Sequence, residues 1–399
     1  MMPKLVIGSF AGLMFATSAH ALDGQRFLNV INSLTKPQGT IVSAGSVEVN
    51  GDDVHLKSVQ LTFPALEHDS LEISDLTFED VQPLAGGGYV IGRLSLPDFK
   101  LAEEDVGFSY EGVELQKCQI SGNPKGVTLN EISFCEVMKT GAVSLIDKGR
   151  ERLRFGSSHF TATRQPDDTG LGFDGSVDDL LVSFEDTSDA LDEVGATWKA
   201  IGVPEGRGYF RTKGSWTLAD GRLTLADNVL SIGDIGTLTL GFDVSGYTLK
   251  AIYALQDATA KAEQEYASQP EMKAHVLTAA MTDLSQQVSL HSARIRFEDD
   301  GITGRLIALA GQGKMDAPTT AKLMSTSATQ KLTELQPLLG KVLVDDLTAA
   351  VTAFLQKPQN FELSTQPKQP LKLQDIITTA RNSPDMLPGL FLIKVTANE

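Results

Sequence analysis

Five aspartates between Asp167 and Asp179 form the one stretch of this chain with the side chains to hold a hard cation. Asp167, Asp168, Asp174, Asp178 and Asp179 are interleaved with Gly170, Gly172 and Gly175. Calcium takes several oxygen ligands from a flexible loop, and Asp168, Asp174 and Asp178 are the candidates. Their spacing is not that of an EF-hand, whose ligands alternate from the first position. A solvated hairpin turn explains the same composition, so no metal is assigned on it.

The other reactive side chains are scattered. Downstream of residue 21 the histidines are His55, His68, His159, His275 and His291, and none stands in a His-Glu-x-x-His motif. His55 has polar neighbours that place it on a solvent face, and His275 lies one helical turn from Glu271. A Gly-x-Ser-x-Gly nucleophile elbow is absent. Gly311-Gln312-Gly313-Lys314 has the look of a phosphate loop, but Ala308 and Met315 stand where Gly and Ser or Thr are needed. Phe-Glu-Asp follows an aliphatic and a polar residue three times, at Leu76–Asp80, Val182–Asp186 and Ile295–Asp299. Read as chemistry this is a carboxylate site. Read as structure it is a strand that ends on a buried Phe and turns into solvent on two acids, the reading favoured here. A hydrolase would need Ser, His and Asp, or paired carboxylates, drawn from distant segments. No enzymatic activity and no cofactor are expected.

Cys118 and Cys135 are the two cysteines of the chain. Ser121-Gly122-Asn123-Pro124-Lys125-Gly126 between them is a strong turn signal, so the flanking strands run antiparallel and bring the sulfurs together. A disulfide is expected; a pair of metal ligands is the competing reading, and it lacks further ligands at metal spacing.

The elements that carry these residues are short strands. The pattern apolar-polar-apolar-polar-polar-apolar-polar-apolar occurs at Val54–Leu61, Leu71–Phe78 and Val127–Phe134. On a helix the four apolar positions would scatter around the cylinder. On a strand they form two half-buried pairs with one extra residue between them, the place of a β-bulge or bend. Strands therefore fill the chain from Gly39 to Phe160 and again from Gly170 to Tyr253, with turns at Asn50-Gly51-Asp52-Asp53, Asp174-Gly175 and Asp220-Gly221. Gly45-Ser46-Val47-Glu48-Val49 with Val54 and Leu56 aligns without a gap onto Gly214-Ser215-Trp216-Thr217-Leu218 with Leu223 and Leu225. Leu61 then falls on Leu230 and Phe63 on Ile232, which raises an internal duplication.

After Tyr253 the period changes. Met272, Val276, Ala280, Leu284 and Val288 predict a helix entered at Pro270, and Val344, Leu347, Val351, Phe354 and Leu355 another, stopped at Lys357-Pro358. Further helices are expected between Pro318 and Leu335 and from Leu373 to Ala380, with strands at Leu290–Phe297, Phe361–Ser364 and Leu390–Val395. The fold class is α+β and β-dominated: serial antiparallel short strands in curved sheet, with helices mostly in the C-terminal third. The divisions expected are residues 1–21, 22–165, 166–253 and 254–399.

Residues 1–21 read as a cleavable signal peptide: Lys4, an apolar run from Leu5 to Phe15, then Ala19-His20-Ala21. A run of eleven residues is too short to span a bilayer, which takes about 20. Leu22 rather than Cys follows, against a lipoprotein. No later stretch reaches spanning length. The net charge of −17 argues against nucleic acid and against electrostatic docking on anionic membranes. Aromatic residues, at 7%, are too few for the girdles of a transmembrane barrel.

From Thr40 to Phe297 the serial strands, the Asp-Gly turns and the Gly-Ser-x-x-aliphatic stretches at Gly45 and Gly214 resemble the AsmA-like proteins of the Gram-negative periplasm. The resemblance implies curved sheets with an apolar groove and a part in phospholipid transport or outer-membrane upkeep. The chain departs from that family in being short and in having a cleavable leader instead of a membrane anchor. The function expected is a non-enzymatic periplasmic envelope protein that binds lipid or another apolar ligand in a sheet groove. The alternative is an interaction module that binds another envelope protein and no ligand.

Overall fold

The computed structural model describes residues 22–36, 39–62, 70–84, 86–102, 105–123, 125–184, 192–266 and 268–399. Residues 1–21, the expected leader, and Phe63, His68, Pro124, Glu185 and Asp186 lie outside them.

The chain opens with α1 (Gly24–Thr35), whose N-cap Asp23 accepts from the Arg26 amide. It then runs through β1 (Ile41–Asn50), β2 (Asp53–Thr62), β3 (Ser70–Ile73), β4 (Leu76–Pro83), β5 (Tyr89–Ser95) and β6 (Phe99–Ala102). Next come β7 (Val106–Tyr110), β8 (Glu114–Ile120), β9 (Phe134–Thr140), β10 (Val143–Asp147), β11 (Arg150–Phe155), β12 (Ser157–Arg164) and β13 (Gly170–Ser183). The helix α2 (Asp192–Ala200) precedes β14 (Glu205–Thr217), β15 (Leu223–Ile232) and β16 (Gly236–Ser245). Two helices follow, α3 (Leu249–Glu265) and α4 (Pro270–Gln287), then β17 (Ser289–Asp299). The remaining helices are α5 (Ile302–Gly311), α6 (Ala317–Glu334), α7 (Gln336–Leu339) and α8 (Lys341–Gln356). The chain closes with β18 (Asn360–Thr365), β19 (Leu371–Lys372), α9 (Leu373–Asn382), α10 (Leu387–Phe391) and β20 (Ile393–Ala397).

All these strands belong to one curved antiparallel sheet. The hairpin of β12 and β13 crosses residue 165, and pairing continues through β14, β15, β16 and β17 to β18 and β20. The two strand-rich stretches are therefore hydrogen-bonded into one surface. In the first of them four long strands are each broken in two. Thus β5 pairs with β8 while β6 pairs with β7, and β9 pairs with β12 while β10 pairs with β11.

Several bends rest on a residue that turns left-handed: Ser58, Asp80, Lys117 and Asp179, with φ of 52°, 52°, 48° and 52°. Each such residue flips the alternation, so apolar side chains three apart stay on one face. Leu56 and Val59, both fully buried, bracket Ser58 in this way. Phe78 and Val81 bracket Asp80. The extra residue read from the first eight-residue pattern is Ser58, and in the second copy the break falls between β3 and β4. The third copy is not a strand. Thr128 opens a single turn at Leu129–Glu131, and the Glu131 carboxylate accepts from the Val127 and Thr128 amides and the Thr128 hydroxyl. Local side-chain bonds there outcompete the ladder.

The core is divided among three clusters. The first buries Phe27 and Leu28 of α1 against Val54, Leu56, Phe78, Val81, Tyr89 and Ile91. The second joins Leu129, Trp216 and Leu249, and the third joins Ile201, Val203 and Ile302.

Helices gather after Leu249, four residues before the change of period expected at Tyr253. The helices expected at Pro270, Pro318, Val344 and Leu373 form, as do the strands at Leu290 and Phe361. Six helices have no counterpart in the sequence reading: α1, α2, α3, α5, α7 and α10. The last strand begins at Ile393 rather than Leu390, because Leu387–Phe391 is helical.

Candidate functional site

Residues opposite one another in register share a face of the sheet. Leu115 lies opposite Met138, and Met138 opposite Phe160. Phe210 lies opposite Leu230, and Leu230 opposite Leu238. Leu240 lies opposite Ile295, and Ile295 opposite Leu363. The bends keep these rows in phase, so one face is apolar from β1 to β20. The reverse face carries the charges, among them the ion pairs Lys57–Asp75, Arg93–Glu114, Arg222–Asp243 and Arg294–Glu362.

The apolar face is covered at its margins. At its first end α1 lies on it through Phe27, whose ring meets Phe78 and Tyr89 at 4.9 and 5.1 Å. At the other end Phe354 of α8 packs edge-on against Phe297 and Phe361 at 6.4 and 6.0 Å. Along one side Leu249 of α3 and the turn at Leu129 cover Trp216, whose indole nitrogen donates to the Tyr247 carbonyl. Along the other side Ile302 of α5 packs with Ile201, Val203, Trp198 and Phe184.

Among the described residues nothing covers the face between these margins. Met138 is 37% exposed, Leu240 39% and Ile295 48%, while Phe160, Phe210, Leu230 and Leu363 are half-buried. The uncovered lane continues into β6, β7, β10 and β11, where Leu101, Phe108, Leu145 and Leu153 face one another in register. Phe99, Phe108 and Tyr110 cluster there, and burial pushes the Tyr110 hydroxyl above its ordinary pKa. Chemically the lane offers an apolar surface bounded on several sides, with no charged group in its floor rows.

The residues singled out for other chemistry are placed apart. Cys118 and Cys135 stand opposite each other on β8 and β9 and form the expected disulfide, with Cα atoms 3.9 Å apart, packed on the first core cluster. The aspartates do not converge on a cation. Asp168 pairs with Arg164 at 3.1 Å, Asp174 faces Lys213 in register, and Asp178 pairs with Arg211. Asp174 and Asp178 are four residues apart on one strand, a separation of about 13 Å at the usual rise. Among the described residues no three His, Cys, Asp or Glu side chains gather to share a metal ion.

The described histidines sit on separate elements. His55 Nδ1 is 3.0 Å from Thr77 Oγ1 on the polar face, His159 is exposed on β12, and His275 is exposed on α4 beside the exposed Glu271. His291 meets Ser245, Nε2 to Oγ at 2.8 Å, a contact the sequence reading missed because β16 and β17 are 43 residues apart. The neighbouring Asp243 carboxylate is gripped bidentately by Arg222 at 2.8 and 2.6 Å, so it does not orient the imidazole as a triad requires. Gly311–Lys314 is the C-terminal cap of α5, with Gln312 left-handed. That end of a helix repels an anion. Of the Phe-Glu-Asp pieces, Phe78 is buried in the first cluster, Phe184 and Phe297 are half-buried at the third, and Asp299 caps α5 by accepting from the Gly301 and Thr303 amides. Among the described residues no helix is long and apolar enough to cross a membrane.

A protein-family model described only as an uncharacterized protein matches residues 229–398, from within β15 to the end of the chain's last strand. None of the curated proteins matches the chain.

Proposed function

We propose that this chain is a non-enzymatic exported protein that holds a lipid, or another long apolar ligand, on the uncovered middle of its apolar sheet face. The observation that carries the reading is the exposure of Met138, Leu240 and Ile295 on a face whose ends and sides are otherwise packed by helices. Moving an acyl chain from water onto such a surface is worth about 0.8 kcal/mol per methylene, so binding needs no catalytic group. The leader at residues 1–21 and the Cys118–Cys135 disulfide support residence in an oxidising compartment, the periplasm. The resemblance to AsmA-like proteins supports a task in the envelope.

Fluorescence titration with cis-parinaric acid tests the reading. Saturable binding is expected, weakened at least tenfold by Leu240→Glu with Ile295→Glu, and unaffected by Lys57→Gln on the polar face. Equal binding by all three proteins would contradict it.

One observation favours a protein partner instead. The helical layer exposes Leu323, Leu335, Leu338 and Val342, the last 76% exposed. Under that reading charged substitutions at Leu323 and Val342 abolish capture of an envelope protein and leave the parinaric acid titration unchanged.

A further inference from the structure

The polar face of the sheet has a hollow of its own, of about 520 Å³, over β15, β16, β17, β18 and β20. It lies on the reverse of the apolar lane, so it is a separate site. Register explains the hollow. Gly241, Arg294, Ser364 and Lys394 stand in one row across four strands, and Gly241 contributes no side chain. In the adjoining row Thr224, Asp243 and Ser292 stand together.

Arg294 and Lys394 are two strands apart, a span of about 10 Å, with the Ser364 hydroxyl between them. Arg294 spends one nitrogen on Glu362 at 2.9 Å, and Glu362 is shared with Arg296 at 3.2 Å, while Arg296 also holds Glu298 at 3.0 Å. Guanidinium has five donors, and the rest stay available. Asp243 is the acid in the lining, and the bidentate grip of Arg222 neutralises it. The lining also holds the hydroxyls of Thr224, Ser292 and Ser364, beside the apolar Leu225, Phe242, Ala293 and Leu392. On a chain of net charge −17 this is a local excess of cations and donors around an open volume.

We propose that this hollow is an oxyanion site that takes a phosphate group between Lys394 and Arg294, with the Ser292 and Ser364 hydroxyls donating to its oxygens. Arg and Lys with hydroxyl donors are the recurring chemistry for such a group. The phosphate belongs either to a small soluble ester or to a lipid headgroup, and the two sources are separable.

The test is calorimetric titration of the folded protein with inorganic phosphate at low ionic strength, beside sedimentation with vesicles of phosphatidylcholine containing phosphatidylglycerol. Lys394→Gln is the variant and Lys57→Gln the control, both checked for fold by circular dichroism. Phosphate binding weakened about tenfold by Lys394→Gln alone supports the site with a soluble ligand. Vesicle binding lost in Lys394→Gln, without phosphate binding, supports it with a headgroup. Absence of both, or binding equal in variant and control, overturns the proposal.

Discussion

Asp80 turns left-handed directly across from Gly92, and a Cβ built on Gly92 would stand 2.8 Å from the Asp80 Cβ. The pairs Phe78 with Leu94 and Val81 with Ile91 flank this point in register. The same arrangement recurs where Asp179 turns left-handed beside Gly156, with 3.0 Å between the corresponding carbons. A bend in one strand is thus matched by an absent side chain in its neighbour. That pairing lets a strand curve without turning its apolar residues to the polar face.

Gly92→Ala should therefore destabilise the fold by about 1–3 kcal/mol, the range of an overpacked site. Gly51→Ala, at a turn where a Cβ meets nothing within 4 Å, serves as a comparison limited to the strain of its positive φ. Urea unfolding of the two variants measures the difference. Equal stability of Gly92→Ala and the parent would refute the matched bend.

Little of this was legible beforehand. Asp80 and Gly92 are ordinary strand-depleted residues in the sequence, and only the register shows that they meet. The kink at Ser58 was legible, because Val54, Leu56, Val59 and Leu61 carry the phase change in their own spacing. Val127–Phe134 carries the same spacing and is a turn, since Thr128 and Glu131 satisfy each other locally. The helix α1 escapes the sequence reading because its apolar positions Phe27, Leu28, Val30 and Ile31 stand in a short stretch before the strand pattern begins. The open lane lay out of reach for a different reason. Alternation shows which residues share a face, but whether helices cover that face is decided by packing between segments far apart in the chain.

Reducing the Cys118–Cys135 disulfide should lower stability by about 3 kcal/mol in the chain-entropy account, given the short loop it closes. Unfolding with and without a thiol reductant reads this directly. A Cys118→Ser, Cys135→Ser double variant should match the reduced parent.

Asn32 of α1 lies against the outer edge of β1. Its side chain donates to the Val42 carbonyl at 2.7 Å and accepts from the Val42 amide at 2.9 Å, in the manner of a neighbouring strand. Asn32→Ala leaves both groups without that partner, at a cost of about 1–3 kcal/mol. It also bares an edge able to pair with another chain. Lower thermal stability together with a concentration-dependent rise in mass by light scattering is expected.

Acid should loosen the C-terminal part of the sheet. The hydrogen bonds from Arg222 hold the Asp243 carboxyl below its ordinary range. Burial pushes Glu362 up, but the bonds from Arg294 and Arg296 outweigh it, and the net shift is also downward. A depressed folded pKa contributes stability that is complete above the unfolded value and is lost as pH falls through the folded one. Unfolding free energy should hold level above about pH 5 and decline below about pH 4. Asp243→Asn should lower the plateau and flatten the decline, which a pH series of denaturant melts measures.

The most direct test of the apolar lane is mass spectrometry of an organic extract from the protein, purified from cells without detergent. A near-stoichiometric phospholipid or fatty acid, missing from the Leu240→Glu, Ile295→Glu variant, is the expected result. An extract free of lipid, and still free after incubation with envelope lipids, would contradict the account.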